Sequence, residues 1–175
     1  MKKILMLAMV IGSMAFGAAF EKPAVLTSAG QSADVNMVKA LLKKVGVEAE
    51  MDKAITADKL GSAKTLVVAI GGSSKGLGAA GIKPEAEIDR VEKLIAGAKA
   101  SGVKVLGLHV GGEARRGDLS DRFINSAAPL CDALIVVEDG NKDGLFTNIS
   151  KDKNIPIDFV GKITEAAGPL QKAFE

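Results

Sequence analysis

The chain has no tryptophan and no tyrosine, and only one histidine and one cysteine. Each scarcity narrows what the protein can do. Carbohydrate and single-stranded nucleic-acid sites lean on exposed aromatic platforms. With six Phe as the whole aromatic supply, neither class is expected. The lone Cys131 leaves no intramolecular disulfide, so the fold is held by packing, with Cys131 expected as a small buried hydrophobe. No charge of one sign dominates either: 23 basic residues stand against 21 acidic ones.

Two of those basic residues, Lys2 and Lys3, open a segment that reads as a secretory signal. An almost wholly apolar run from Ile4 to Phe16 follows, and Gly17-Ala18-Ala19 supplies the small residues a signal peptidase needs. Cleavage after Ala19 leaves Phe20 first and a mature chain that is formally neutral. A neutral chain has no broad electrostatic footprint for nucleic acid, so no nucleic-acid partner is expected. The apolar run falls short of the roughly 20 residues of a membrane-spanning helix, so no stable span is expected after cleavage. The expected location is outside the cytoplasm, periplasmic or secreted. Residues 20–175 have the length of one domain with a real core.

Short β-branched runs alternate with longer helical ones along that mature part. Strands are predicted at Ala24–Ser28, Val47–Met51, Thr65–Ile70, Val103–Val110, Ala133–Val137 and Ile157–Val160. Between them, Val35, Val38, Leu41, Leu42 and Val45 make one helical stripe, and Ile88, Val91, Leu94, Ile95 and Ala98 another. Further helices are predicted over Leu119–Ala128, Leu145–Lys151 and Ile163–Phe174. Strands alternating with helices imply an α/β three-layer sandwich, flavodoxin-like or Rossmann-like, around a mostly parallel sheet of five or six strands.

The connections differ by direction. Those from helix to strand are short, whereas those from strand to helix are long, polar and Gly-rich: 28–32, 71–81, 111–118 and 138–144. In a parallel sheet all four converge on the carboxyl edge, where open α/β sheets bind ligands. The stretch Gly71–Gly81 is expected to be a loop whose backbone N–H groups, with Lys75, cradle an anion. Its Gly76-Leu-Gly78-Ala-Ala-Gly81 spells G-x-G-x-x-G, but Ser73-Ser-Lys75 separates it from the strand, so a dinucleotide site is not expected. Arg115 and Arg116 could grip a carboxylate or phosphate, or be surface charges paired with Glu113 or Asp121. Ser28 and Gln31 are further ligand contacts, and Ser32 reads as a helix N-cap.

The candidate ligand-binding set is therefore Ser28, Gly30, Gln31, Ser32, Gly72, Ser73, Ser74, Lys75, Gly76, His109, Arg115, Arg116 and Asn141. His109 is also the one catalytic candidate, as a general base beside Ser28 or Ser73, unless strand alternation turns it into the core. Asp139, Asn141 and Asp143 reproduce the first half of a calcium loop. The twelfth position, which should be a bidentate Glu, is Ser150. Calcium is the one ion this pattern suggests, and no cofactor is predicted.

The phrases TSAGQS at 27–32, GGSSKGLGAAG at 71–81, HVGGEARRG at 109–117 and GNKDGLF at 140–146 resemble an uncharacterised family of secreted bacterial proteins, a domain of unknown function. The resemblance implies the fold and the export, and brings no activity with it. The leading expectation is thus an exported module that binds a small anionic or polar molecule, with the question of catalysis open and leaning against an enzyme. The alternatives are a hydrolase or transferase using His109 with a serine, and a docking module for a protein partner.

Overall fold

A computed structural model describes residues 19–175; the expected signal at 1–19 lies, but for its last residue, outside them. Six parallel strands form one sheet: β1 (Ala24–Ala29), β2 (Ala49–Met51), β3 (Thr65–Ile70), β4 (Lys104–His109), β5 (Ala133–Val137) and β6 (Ile157–Val160). Their spatial order is β2-β1-β3-β4-β5-β6. The chain runs outward from β1 to β2, then crosses back to β3 on the other side of β1. That reversal is the flavodoxin-like order, and it places a topological switch point between β1 and β3.

The inner runs are largely apolar because both their faces are covered. Every residue of β1, β3 and β5 is buried, and their side chains alternate between two cores. Val25, Leu66, Val68, Val105 and Leu134 face one core, while Leu26, Val67, Leu106, Leu108 and Ile135 face the other. On the first face lie α3 (Pro84–Ala100), α4 (Asp118–Ala127) and α5 (Leu145–Lys153). On the second lie α1 (Asp34–Lys44) and α6 (Ala167–Phe174). Burying one Leu or Ile in such a layer stabilises by about 1.5–3 kcal/mol, so either apolar stripe suffices to fix its helix. Among the described residues no helix is long and apolar enough to cross a membrane.

Two local expectations are corrected. The stretch expected as a Gly-rich loop is largely a helix, α2 (Ser74–Ala80). The Ser73 hydroxyl accepts from the Gly76 amide at 3.0 Å to start it, and Gly81, in the left-handed region, ends it. In α3 the stripe does not begin at Ile88, which is only half-buried; Glu87 takes the fully buried place one residue earlier. A carboxylate goes under the helix there because it has four hydrogen-bond donors waiting.

Cys131 lies just before β5, at the amino edge, buried with its thiol on the Ala127 carbonyl oxygen at 3.4 Å. Burial pushes that thiol up to about 12, so it stays protonated and inert.

Candidate functional site

At the switch point two of the donors waiting for Glu87 come from the loop that follows β1. Its carboxylate, with no exposed surface, accepts from the Gly30 amide at 3.2 Å and from Gln31 Nε2 at 2.9 Å. Arg90, one turn further along α3, adds Nε and Nη2, each at 2.9 Å. The same guanidinium donates to the carbonyl oxygens of Ser28 at 2.6 Å and Ile55 at 2.9 Å. Gln31 Nε2 also donates to the Lys53 carbonyl oxygen at 2.9 Å.

This brace holds two residues in left-handed conformations, Gly30 at φ 104° and Gln31 at φ 58°. Gly30 is sterically required. A Cβ there would stand 2.6 Å from the Gly71 carbonyl oxygen and 2.8 Å from the Phe123 ring. The loops after β1 and β3 are also tied to each other. Gly71 and Ser73 donate to Ala29 and Gly30 at 3.0 and 2.9 Å, and Gln31 bridges Gly72. Helix α2 then rests on the same loop, for a Cβ on Gly76 would collide with the Gln31 carbonyl oxygen. The crevice where an open α/β sheet receives its ligand is therefore closed by its own backbone.

Several expected site residues are spent in that closure. Ser28 is fully buried on the α1 face, its hydroxyl without a partner. Ser32 Oγ accepts from the Asp34 amide at 3.0 Å, which starts α1. Gly30 and Gln31 point into the Glu87 brace. None of the four lines the open cleft between α2 and α4.

One strand along, between the loops of β3 and β4, the surface does open. A cleft of about 320 Å³ lies between the start of α2 and the start of α4. It gathers Gly72, Ser73, Ser74, Lys75, Arg115 and Arg116 from the expected set, and adds Gly117, Asp118 and Ser120. Ser120 Oγ anchors one wall by accepting from the Gly72 amide at 3.1 Å. The 3-10 turn Gly112–Arg115 carries the other.

Neither arginine is free. Arg115 lies fork-on against Asp34, with Nε–Oδ2 at 3.0 Å and Nη2–Oδ1 at 3.3 Å. Arg116 holds two carboxylates at once: Asp121 at 2.7 and 3.0 Å, and Asp143 at 3.0 and 2.7 Å. It also donates to the Gly140 carbonyl oxygen. Those bonds, Asp121 first, raise the guanidinium above its ordinary range. Hydrogen bonds from Arg116 lower Asp121 and hold Asp143 down to about 2. By contrast Lys75 and Asp118, both exposed on the cleft, form no ion pair among the described residues.

His109 ends β4 facing α5, fully buried, its ring centroid 4.9 Å from that of Phe146. Nδ1 lies 3.0 Å from the Ile70 carbonyl oxygen and Nε2 3.2 Å from that of Gly112. Burial lowers its pKa, opposed by those two carbonyl contacts. Both ring nitrogens thus face backbone, not a hydroxyl, and the imidazole links the end of β3 to the turn that bears the arginines.

The residues of the calcium-like loop point to separate tasks. Asn141 Oδ1 accepts from the Phe146 and Thr147 amides at 2.9 and 3.2 Å and so caps α5. Asp139 accepts from the Glu113 amide at 3.2 Å, while Asp143 serves Arg116. Among the described residues no group of three His, Cys, Asp or Glu is placed to hold a metal.

Sequence reasoning missed Glu87, Arg90 and Asp34, and took Asp118 only as a helix cap, outside the candidate set. The first pair did leave a trace: Glu87 stands four residues before Val91 and seven before Leu94, on the apolar stripe, with Arg90 at i+3.

Fold and edge together define a doubly wound α/β protein with flavodoxin-like strand order and a plugged switch point. Within that class the chain belongs to the domain of unknown function DUF6305, whose profile matches residues 21–174. Comparison with curated proteins finds no match. Among solved structures it is similar to a GDSL-like lipase from Bacteroides thetaiotaomicron, at 12% identity and a TM-score of 0.39 over 86% of this chain and 83% of that one. It is also similar to the psychrotrophic esterase EstA from Pseudoalteromonas sp., at 13% identity and a TM-score of 0.36 over 79% and 78%.

Proposed function

We propose that this chain is an exported binding module for a small polar molecule seated in the cleft between α2 and α4. One observation carries the reading. On the cleft both arginines are committed to carboxylates, whereas Lys75 and Asp118 stand uncommitted on that concavity of about 320 Å³. That volume is at the small end of ligand sites, which run from about 300 to 1,000 Å³. The exposed Ser74 hydroxyl supplies an orienting contact beside those two charges. The hydrolase or transferase alternative needs a ring nitrogen within about 3 Å of a hydroxyl or water. At His109 both nitrogens meet backbone carbonyl oxygens instead.

Native mass spectrometry on protein recovered from the exporting cells, beside a Lys75→Ala variant, tests this. A small adduct on the wild type that is lost from the variant is the expected result. An adduct retained by Lys75→Ala, or bare masses for both, would sink the reading. The same spectra check the export, since cleavage after Ala19 predicts a mass that begins at Phe20.

A further inference from the structure

The charges around the cleft say more than that its ligand is polar. Three cations stand on it: Lys75, Arg115 and Arg116. Four carboxylates answer them: Asp34 on Arg115, Asp121 and Asp143 on Arg116, and Asp118 in the lining itself. The site therefore carries no excess of positive charge with which to hold a simple anion. An anion entering near Lys75 gains one charge-assisted contact. It also meets the unpaired Asp118 in the lining of the same cleft, a like charge that repels it. A simple cation faces the mirror-image problem, gaining Asp118 and meeting Lys75. Both conflicts vanish for one molecule that bears both signs.

Resting on the binding reading above, we propose that the cleft takes a small zwitterion of the amino-acid kind, its carboxylate at Lys75 and the Ser74 hydroxyl and its ammonium at Asp118. The arginines are then framework: Arg115 and Arg116, locked by their carboxylates, shape the wall and leave recognition to the two free charges. No aromatic residue lines the cleft, so the ligand's bulk lies in its charged ends and not in a ring to be stacked.

Amide NMR titration of the folded protein decides this with matched probes: glycine, β-alanine and 4-aminobutyrate against acetate, propionate and butyrate. The two series share the carboxylate and differ in the amine, and the first also steps the distance between the charges. At least one amino acid should shift the amides of Ser74, Lys75, Asp118 and Leu119. It should do so at a concentration about tenfold below its amine-free counterpart, the scale of one charge-assisted contact. Asp118→Asn should erase that advantage and leave the plain carboxylates no weaker. Plain carboxylates that bind as tightly as the amino acids, with Asp118→Asn indifferent, would overturn the zwitterion and leave the binding reading standing. Silence of those amides toward all six probes also overturns the zwitterion, and the adduct measurement then judges the binding reading separately.

Discussion

Two neighbouring stretches of the same carboxyl edge solve opposite problems with the same kinds of residue. Between β1 and β3, an acid and a base are driven underground: Glu87 has no exposed surface and the Arg90 side chain only 12%. Between β3, β4 and β5 the pairs reach the surface on their acid side: the Arg116 side chain is only 13% exposed, but that of its partner Asp143 is 59% exposed. The buried pair seals the crevice that the strand order would otherwise offer to a ligand. The surface pairs leave a concavity beside them and two charges unspent. Strand order locates where a site can form, and side-chain commitments decide which of the adjacent openings survives.

Removing the buried acid should break the comparison most sharply. Glu87→Ala strands the Arg90 guanidinium and leaves the Gly30 amide and Gln31 Nε2 without their acceptor. Breaking one side of a buried ion pair costs about 3–5 kcal/mol. Lys75→Ala, on the open cleft, should stay within about 0.5 kcal/mol of wild type. Paired urea melts with unchanged m-values measure both. Equal costs for the two substitutions would mean that the seal is not built as described.

The core of the fold was legible because burial on both faces keeps the inner strands largely apolar. Thr65–Ile70 and Ala133–Val137 announce themselves that way, and the Val91–Ala98 stripe follows from its period. What stayed hidden depends on tertiary partners. Ser74–Ala80 holds two glycines in seven residues and has poor intrinsic helicity. It is a helix because Ser73 caps it, Leu77 is buried beneath it, and Gly76 fits against Gln31. Glu87 was invisible since an acid in a helix is ordinarily solvated. Arg115 drew notice as a charge, but its partner Asp34 lies 81 residues away, a pairing that no local pattern contains. Hence the motif-rich loops were easy to find, while which of their groups remain free was not.

A pH series sharpens the boundary between the two regions, because His109 joins them through Ile70 and Gly112. Its folded-state pKa lies below the ordinary 6.5, chiefly through burial. Between that lowered value and 6.5 the unfolded chain binds the proton more readily, so stability rises with pH there and is lost as pH falls. Denaturant midpoints taken downward from pH 7 should decline through this window, and His109→Gln should flatten the decline. Asp34 and Arg116 act on the ring with opposite sign, so neither alone reverses the direction. A stability that grows on acidification through the same window would show that the two carbonyl contacts outweigh burial and hold an imidazolium.

The smallest effect belongs to the surface network. Asp143→Asn takes one of two carboxylates from Arg116, which keeps Asp121 at 2.7 and 3.0 Å. The Asp143 carboxyl is held down to about 2, so its contribution is present above its ordinary 3.8 and lost as pH falls toward 2. Its exposure limits what that is worth: pairs of this kind contribute about 0.2–1 kcal/mol and are screened by salt. The deficit of Asp143→Asn should therefore shrink between about 0.1 and 1 M NaCl, as the Debye length falls from about 10 to 3 Å. The deficit of Glu87→Ala, sheltered from counterions, should hardly change over the same range. A salt-indifferent loss of several kcal/mol in Asp143→Asn would place the two ion-pair systems in one class. The open cleft would then be as rigidly built as the sealed crevice beside it.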